Sequence, residues 1–309
     1  MHCLVTGGSG YIGRALLPVL AEQGLRLSAQ YRRGFVPVLA NENVGFLEYE
    51  FADGRADLNL DGVDVVFHLA GIAHQDADAQ AYQRVNVDAP LALAERAREA
   101  GVRRFVFVSS VKAEAAEHDA LGGLTPVSEA SSPYAQSKAL AELGLQKLCR
   151  NSSLELVIVR PALVYSEHAL GHLRWLRRWA TWHLPTPPRG GGRSMIALDD
   201  LVRLLAQLVT VPIESPCLIT ATDGESYSTR RIHAAMCLAL DRRPWLPSPP
   251  DFVWRSVCRL WDTVRGQESG GTWARMTADE LYRNSGPESL GFRPSLNFEA
   301  SLSVVVDAS

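Results

Sequence analysis

Thr6-Gly7-Gly8-Ser9-Gly10-Tyr11-Ile12-Gly13 is the stretch on which the reading of this chain turns. The apolar run Cys3-Leu4-Val5 precedes it, and a helical pattern from Tyr11 to Gln23, ended by Gly24, follows it. A strand, a glycine turn and a helix start in that order make a phosphate cradle. Gly7 permits the tight turn, Gly10 lets the backbone approach a pyrophosphate, and Gly13 lets the helix pack close. The helix N-terminus, with Tyr11 and Ile12, then faces the phosphates with its N–H groups. The expected ligand is a dinucleotide.

Outward from the loop, short apolar runs alternate with helical stretches. Strands are predicted at Leu4-Val5, Leu25–Tyr31, Val44–Glu50, Val63–Leu69, Arg104–Val108 and Leu154–Val159. Helices are predicted over Val87–Ala100, closed by Gly101, and over Ser132–Arg150. This alternation predicts an α/β fold, a doubly wound parallel Rossmann sheet. The run V-D-V-V-F-H-L at 63–69 is nearly all apolar, as a strand covered on both faces should be. From about Tyr165 the character changes, with prolines and glycines crowded between Leu184 and Gly192 and an apolar helix from Asp199 to Val209. The expected organisation is a dinucleotide domain over 1–164. Residues 165–309 form mainly a small substrate lobe, interleaved with the last elements of the sheet.

Bulk properties narrow the field. A chain of 309 residues with net charge −3 and 47% apolar residues suits a globular protein and gives no hint of nucleic-acid binding. No apolar run is long enough to span a bilayer. The N-terminus runs straight into the glycine loop, so no signal peptide is expected and the expected location is cytoplasmic. The five cysteines (Cys3, Cys149, Cys217, Cys237, Cys258) lack metal spacing and read as reduced structural thiols. No metal is expected.

The second predicted strand ends Gln30-Tyr31-Arg32-Arg33. An acid there would take the adenosine ribose hydroxyls; two arginines instead suit a 2′-phosphate. NADP is therefore favoured over NAD. Glu50 and Phe51, after the third strand, are candidates to line the adenine pocket.

Tyr134 and Lys138 lie four apart in a predicted helix and share one face. A free phenol has a pKa of about 10, and a nearby ammonium or a positive nicotinamide would lower it. Tyr134 then serves as acid in reduction and base in oxidation. Ser110, ending the fifth strand, is the candidate partner for the reacting oxygen, with Ser109 as its fallback.

With these motifs in hand, the chain resembles an extended short-chain dehydrogenase/reductase of the NAD-dependent epimerase/dehydratase group. The resemblance is carried by TGGSGYIG (6–13), HLAG (68–71), VNV (85–87), FVFVSS (105–110), YAQSK (134–138), VRPALVY (159–165), RSMIALDDL (193–201) and LGFRPSLNFEASL (290–302). It implies a catalytic trio of Ser110, Tyr134 and Lys138. It also implies a cofactor lining of Leu69, Ala70, Gly71 and Asn86, with Pro161 and Ala162 beside the nicotinamide. Arg193 would grip a sugar-linked diphosphate. A homodimer through the helices near 87–100 and 134–150 is implied as well. Val111-Lys112 stand where dehydratases of the group carry Asp-Glu, which leaves water elimination without its acid and base. Leu163 and Tyr165-Ser166 depart from the pattern of sugar epimerases.

The motifs are most similar to a bacterial polysaccharide subgroup. Its members act at C4 of UDP-linked or undecaprenyl-diphosphate-linked N-acetylated hexosamines. Keto reduction there, in surface polysaccharide biosynthesis, is the favoured activity, and Lys112 is a further candidate for substrate contact. A C4 epimerase holding NAD tightly is the alternative. A non-catalytic NADP sensor or scaffold is the alternative of another class, disfavoured by the intact trio.

Leu173–Leu184 reads L-R-W-L-R-R-W-A-T-W-H-L, and Phe252–Trp261 reads F-V-W-R-S-V-C-R-L-W. Aromatic anchors among arginines suit a membrane interface. Packing inside the small lobe is the competing reading, and contact with the inner face of the membrane is the corresponding partner expectation.

Overall fold

In the computed structural model, residues 1–35, 41–73, 77–115, 132–166, 172–182, 184–242, 248–266 and 269–306 are described. The elements run β1 (His2–Thr6), α1 (Tyr11–Glu22), β2 (Arg26–Tyr31), β3 (Val44–Glu48) and β4 (Val65–His68). Next come α2 (Ala79–Tyr82), a π-helical stretch (Gln83–Asp88), α3 (Ala89–Glu99), β5 (Arg104–Val108) and α4 (Pro133–Cys149). The middle of the chain holds β6 (Glu155–Pro161), β7 (Leu163–Tyr165), α5 (His172–Thr181), β8 (Gly192–Ala197), α6 (Leu198–Gln207) and β9 (Cys217–Ala221). The last elements are β10 (Ser226–Ser228), α7 (Thr229–Ala239), α8 (Asp251–Val264), α9 (Gly271–Thr277) and α10 (Phe298–Val306). Two compact units result, each discontinuous in sequence: 1–161 with 201–221 and 285–293, and 162–200 with 222–284 and 294–309.

The first unit is a seven-stranded sheet in the order β3-β2-β1-β4-β5-β6-β9, parallel throughout. This is a Rossmann-like α/β fold. β1, β4 and β5 are buried along their whole length, which explains why Leu4-Val5, Val65–Phe67 and Phe105–Val108 are written as apolar runs. Strand order reverses between β1 and β4, where Thr6 pairs with His68. Ligands of such sheets bind at that switch point, outside the carboxyl ends of the strands. At the opposite edge of β5, buried Arg104 donates to Glu155 at 2.8 Å and Arg103 to the Val209 carbonyl at 2.6 Å. These bonds fasten the exit of α6 to β5 and β6.

One predicted helix starts earlier than its pattern suggests. Helical backbone begins at Ala79, with the Asp78 side chain capping Ala81 N at 2.6 Å, and passes through the π-helical turn before reaching Ala89. Asp78 sets the start, and Pro90 accounts for the π turn. Its ring lacks an N–H and clashes with the carbonyl four residues back, so the wider turn ahead of it lets the helix continue. A π turn also breaks the 3.6-residue period, so the pattern shows its regular spacing only from Val87.

The second unit contains a three-stranded sheet, β10-β8-β7, with α5, α7 and α10 around an apolar cluster that includes Tyr165, Leu176, Met195, Tyr227, Met236 and Phe298. Asp223 ties this cluster together, accepting from Tyr165 at 3.0 Å and from Tyr227 at 2.7 Å. Burial raises the Asp223 carboxyl above its ordinary value, and the two phenol hydrogen bonds oppose that shift.

Candidate active site

The glycine loop is built by close approach. Gly7 adopts a left-handed φ of 71°, and a Cβ there would lie 2.7 Å from Ala70 N. A Cβ at Gly13 would lie 2.3 Å from the Gly7 carbonyl, so the first turn of α1 sits directly on the loop. Gly10 is exposed and a Cβ there would meet only the Gly7 carbonyl, at 3.1 Å. The loop is therefore packed on its inner side and bare on its outer side, at the N-terminus of a helix. That shape fits a pyrophosphate. Tyr11 and Ile12 are half-buried beside it.

Gln30 holds the loop, and the sequence reading did not single it out. Its Oε1 accepts from Gly7 N at 2.8 Å, its carbonyl from Gly8 N at 2.8 Å, and its Nε2 donates to the Tyr49 carbonyl. The available signal was a lone amide near the end of the second strand. Arg32 and Arg33 are exposed just past β2. Arg14 of α1 reaches the same end of the strand, its guanidinium 4.7 Å from the centre of the Phe35 ring.

The two adenine candidates differ in burial. Phe51 is a core residue, packed edge-on to His68 with ring centroids 5.6 Å apart, while Glu50 is exposed.

Leu69, Ala70 and Gly71 follow β4 and face the loop, Leu69 N donating to the Thr6 carbonyl at 3.2 Å. Asn86 lies behind this segment. It is 1% exposed, and its side-chain amide accepts from Ile72 N at 2.8 Å and donates to the Ile72 carbonyl at 3.0 Å and the Ser137 hydroxyl at 2.9 Å. Asn86 itself lies within the π turn. Ser137 in turn donates to the Tyr134 carbonyl at 2.8 Å, linking the 69–72 segment to α4.

Ser132 caps α4 by accepting from Ala135 N at 3.2 Å, and Pro133 occupies the first turn. The helix presents Tyr134 and Lys138 along one side. Lys138 is buried: Nζ donates to the Val108 carbonyl at 2.9 Å and lies 4.7 Å from the centre of the Phe107 ring. A Cβ on Gly71 would be 3.5 Å from that Nζ, so the ammonium stands at the 69–71 segment. Burial brings its pKa down to about 8, and the Glu142 carboxylate one turn on pulls it back up.

Tyr134 is half-buried, and its phenol is coupled to the Ser110 side chain. The phenol is raised, by burial first, while Ser110 pulls it down and Tyr82 adds a small rise. The sequence expectation was a phenol lowered by the ammonium. In the folded chain burial raises the phenol instead, and Lys138 donates to a backbone carbonyl. Ser110 Oγ also accepts from Lys112 N at 3.2 Å, at the start of the short 3₁₀ turn over 111–115.

Ser109 departs from its expected role. Neighbouring residues of a strand point to opposite sides. Ser109 accordingly turns away from Ser110, is 3% exposed, and donates to buried Glu142. Glu142 also receives a bidentate grip from Arg160, with Nη2 at 2.6 Å. Glu142, Arg160 and Ser109 thus form a buried polar knot joining α4, β5 and β6. Pro161 follows Arg160 and ends β6, buried and paired with Ala221. Ala162 and Arg193 belong to the second unit, Ala162 buried and Arg193 half-buried in β8 opposite Tyr227.

Residues 3–214 match the model of the NAD dependent epimerase/dehydratase family, which is well over half of the chain. The chain belongs to this family. As a member of its extended short-chain dehydrogenase/reductase class, it is an NAD-dependent oxidoreductase or epimerase. It is 30% identical over 263 residues to a UDP-glucose 4-epimerase of Vibrio cholerae, covering 80% of this chain and 78% of that one. It is 28% identical over 252 residues to a ceramide reductase of Caulobacter vibrioides, covering 80% and 73%. Among solved structures, a UDP-glucuronic acid 4-epimerase from Bacillus cereus in complex with NAD superposes with a TM-score of 0.75 at 18% identity, covering 99% of this chain and 98% of that one. At that identity the likeness establishes the family fold alone.

Proposed function

We propose that this chain moves hydride at C4 of a sugar carried on a diphosphate, a hexosamine on a nucleotide or a polyprenyl, with Tyr134 as the proton donor and acceptor. The observation that carries this is buried Lys138, bonded to the Val108 carbonyl on the helix face it shares with Tyr134, whose phenol is coupled to Ser110, at the carboxyl edge of a sheet whose glycine loop fits a pyrophosphate. A bound nicotinamide dinucleotide supplies or takes the hydride. Tyr134 Oη gives its proton to the C4 oxygen in reduction and recovers one in oxidation. Ser110 Oγ holds the same oxygen, and Lys138 keeps positive charge behind the phenol. Gly10 and the α1 N-terminus hold the diphosphate of the dinucleotide. Arg193 is the proposed grip on the substrate diphosphate and Lys112 a further substrate contact.

Net reduction of a 4-keto sugar with NADPH is the favoured direction. Its support is the exposed Arg32-Arg33 pair after β2, with Arg14 beside Phe35 and no acid at the strand end. Epimerisation with retained NAD is the second reading, favoured by the extent of the match to the Vibrio cholerae epimerase. The cofactor inventory of the purified protein separates them. A reductase consumes NADPH one-for-one with a UDP-4-keto-hexosamine, and an epimerase retains dinucleotide and consumes none. Tyr134→Phe should lower kcat about 10²- to 10⁴-fold with the fold and dinucleotide affinity unchanged. Full activity in that variant would end the proposal. A cytoplasmic homodimer through α3 and α4 belongs to the same reading, and sedimentation of the purified chain tests its dimeric part.

A further inference from the structure

α8 exposes what an amphipathic helix ordinarily hides. Its inward row is Trp254, Cys258 and Asp262, one turn apart. Val253, Val257, Leu260, Trp261 and Val264 form another row at helical spacing. In that row Leu260 is 68% exposed, Val264 75% and Trp261 48%. Scattered exposed apolar residues are ordinary, but a continuous row along one helix marks an interaction surface.

α5 repeats the arrangement. Leu173, Leu176 and Ala180 face inward, while Trp175 and Trp182 are exposed among Arg174, Arg177 and Arg178. The two helices are joined by a ladder of indoles, Trp175 to Trp179 at 5.0 Å and Trp179 to Trp254 at 5.7 Å. Arginines edge the outer indoles: Arg178 lies 5.4 Å from Trp182 and Arg265 lies 4.8 Å from Trp261.

The charge is one-sided. The chain as a whole carries −3, yet α5 and α8 with its C-cap hold Arg174, Arg177, Arg178, Arg255, Arg259 and Arg265. Their carboxylates are Asp251 and Asp262, and Asp262 is buried, accepting from Gly270 N at 2.8 Å and from Thr272.

We propose that α5 and α8 form a docking surface for an anionic lipid bilayer, with α8 lying in the plane of the headgroups. An apolar row edged by Trp, with Arg on the polar side, is the composition of an interfacial helix. The indoles suit headgroup depth, and the guanidiniums reach lipid phosphates. A helix of this length is about 21 Å long, short of a hydrocarbon core. Among the described residues no helix is long and apolar enough to cross a membrane. A second copy of the chain fits this surface poorly, because a two-fold interface sets a patch against itself and would oppose arginine to arginine. The surface stands apart from the reaction proposed above and does not depend on it.

Flotation of the full chain with vesicles tests this, comparing phosphatidylcholine alone with phosphatidylcholine plus phosphatidylglycerol. Wild type should float with the anionic vesicles, weakly with the neutral ones, and less as salt rises. Leu260→Asp/Trp261→Asp should reduce partition by about tenfold or more, and Arg174→Glu/Arg178→Glu should weaken only the anionic arm. Both variants change exposed residues, so unaltered thermal melting and dinucleotide binding certify the fold. Failure of wild type to float with either vesicle overturns the assignment. So does a change from oligomer to monomer in Leu260→Asp/Trp261→Asp without vesicles, which would make the row a contact between copies.

Discussion

The floor beneath α4 and the outer side of α8 invert the usual rule of burial in opposite senses. In the first unit, charge is inside: Lys138, Glu142 and Arg160 are each at most 5% exposed. In the second, apolar surface is outside, with Val257, Leu260 and Val264 all more than half exposed. Each inversion costs stability where it stands, because buried charge must be desolvated and exposed hydrocarbon forgoes burial. What differs is how the cost is met. The buried charges are satisfied internally, by Arg160 forking onto Glu142 and by Lys138 bonding the Val108 carbonyl. The α8 row has no comparable satisfaction among the described residues of its own unit.

That contrast sets the size of mutational effects. Glu142→Ala leaves Arg160 buried without its carboxylate and frees the Ser109 hydroxyl, so it should destabilise the fold by about 3–5 kcal/mol in denaturant unfolding. A loss below about 1 kcal/mol would mean that water replaces the carboxylate and that the knot is not closed. Glu142→Gln keeps the shape but also takes the counter-charge from buried Arg160, so it should cost stability as well, and where it stays folded it should act on the chemistry. It removes the charge that raises Lys138, so the alkaline fall of kcat, expected above about pH 8 in wild type, should move to lower pH. An unmoved limb would detach Lys138 from the rate.

His68 gives a smaller effect. It is fully buried, its Nδ1 shares a hydrogen bond with Thr6 at 2.9 Å, and burial together with the Lys138 charge holds its pKa down to about 3. The folded chain therefore keeps this ring neutral. Stability is complete above the ordinary histidine pKa of about 6.5 and declines as pH falls from there toward 3, because only the unfolded chain takes the proton. About 1–2 kcal/mol should be lost between pH 6.5 and 5, and His68→Asn should flatten that dependence in thermal melts at graded pH. Least of all, Leu260→Ser on α8 should change stability by no more than about 0.5 kcal/mol. A larger loss would show that the exposed row is packed after all and would erase the contrast.

Much of the first unit was legible in the sequence because its signals are local. A glycine run between a strand and a helix, apolar runs of strand length and the Tyr134–Lys138 interval each depend on a few consecutive residues. The strands matched to within a few residues, and the helix from Ala79 was foreshortened only because a π turn erases helical period. Residues acting through distant partners were not legible. Gln30 is meaningful only because β2 lies beside the loop, Glu142 only because Arg160 arrives from the next strand, and Phe51 only because His68 stands opposite. The tryptophan rows show the limit from the other side. Their spacing on helices could be read, but Trp254 is buried and Trp261 half exposed with the same residue type in the same helix.

The sequence by itself determined the order of strands and helices, the place of the phosphate turn and the interval of the phenol and amine, because backbone periodicity and glycine sterics act over neighbouring residues. Tertiary structure alone decided which serine of the Ser109-Ser110 pair meets Tyr134, that Lys138 is desolvated enough to sit near a pKa of about 8, and that an apolar row of α8 is left facing outward. Those outcomes depend on burial and on hydrogen-bond partners tens of residues away, and desolvation is a property of the enclosing volume rather than of any stretch of chain.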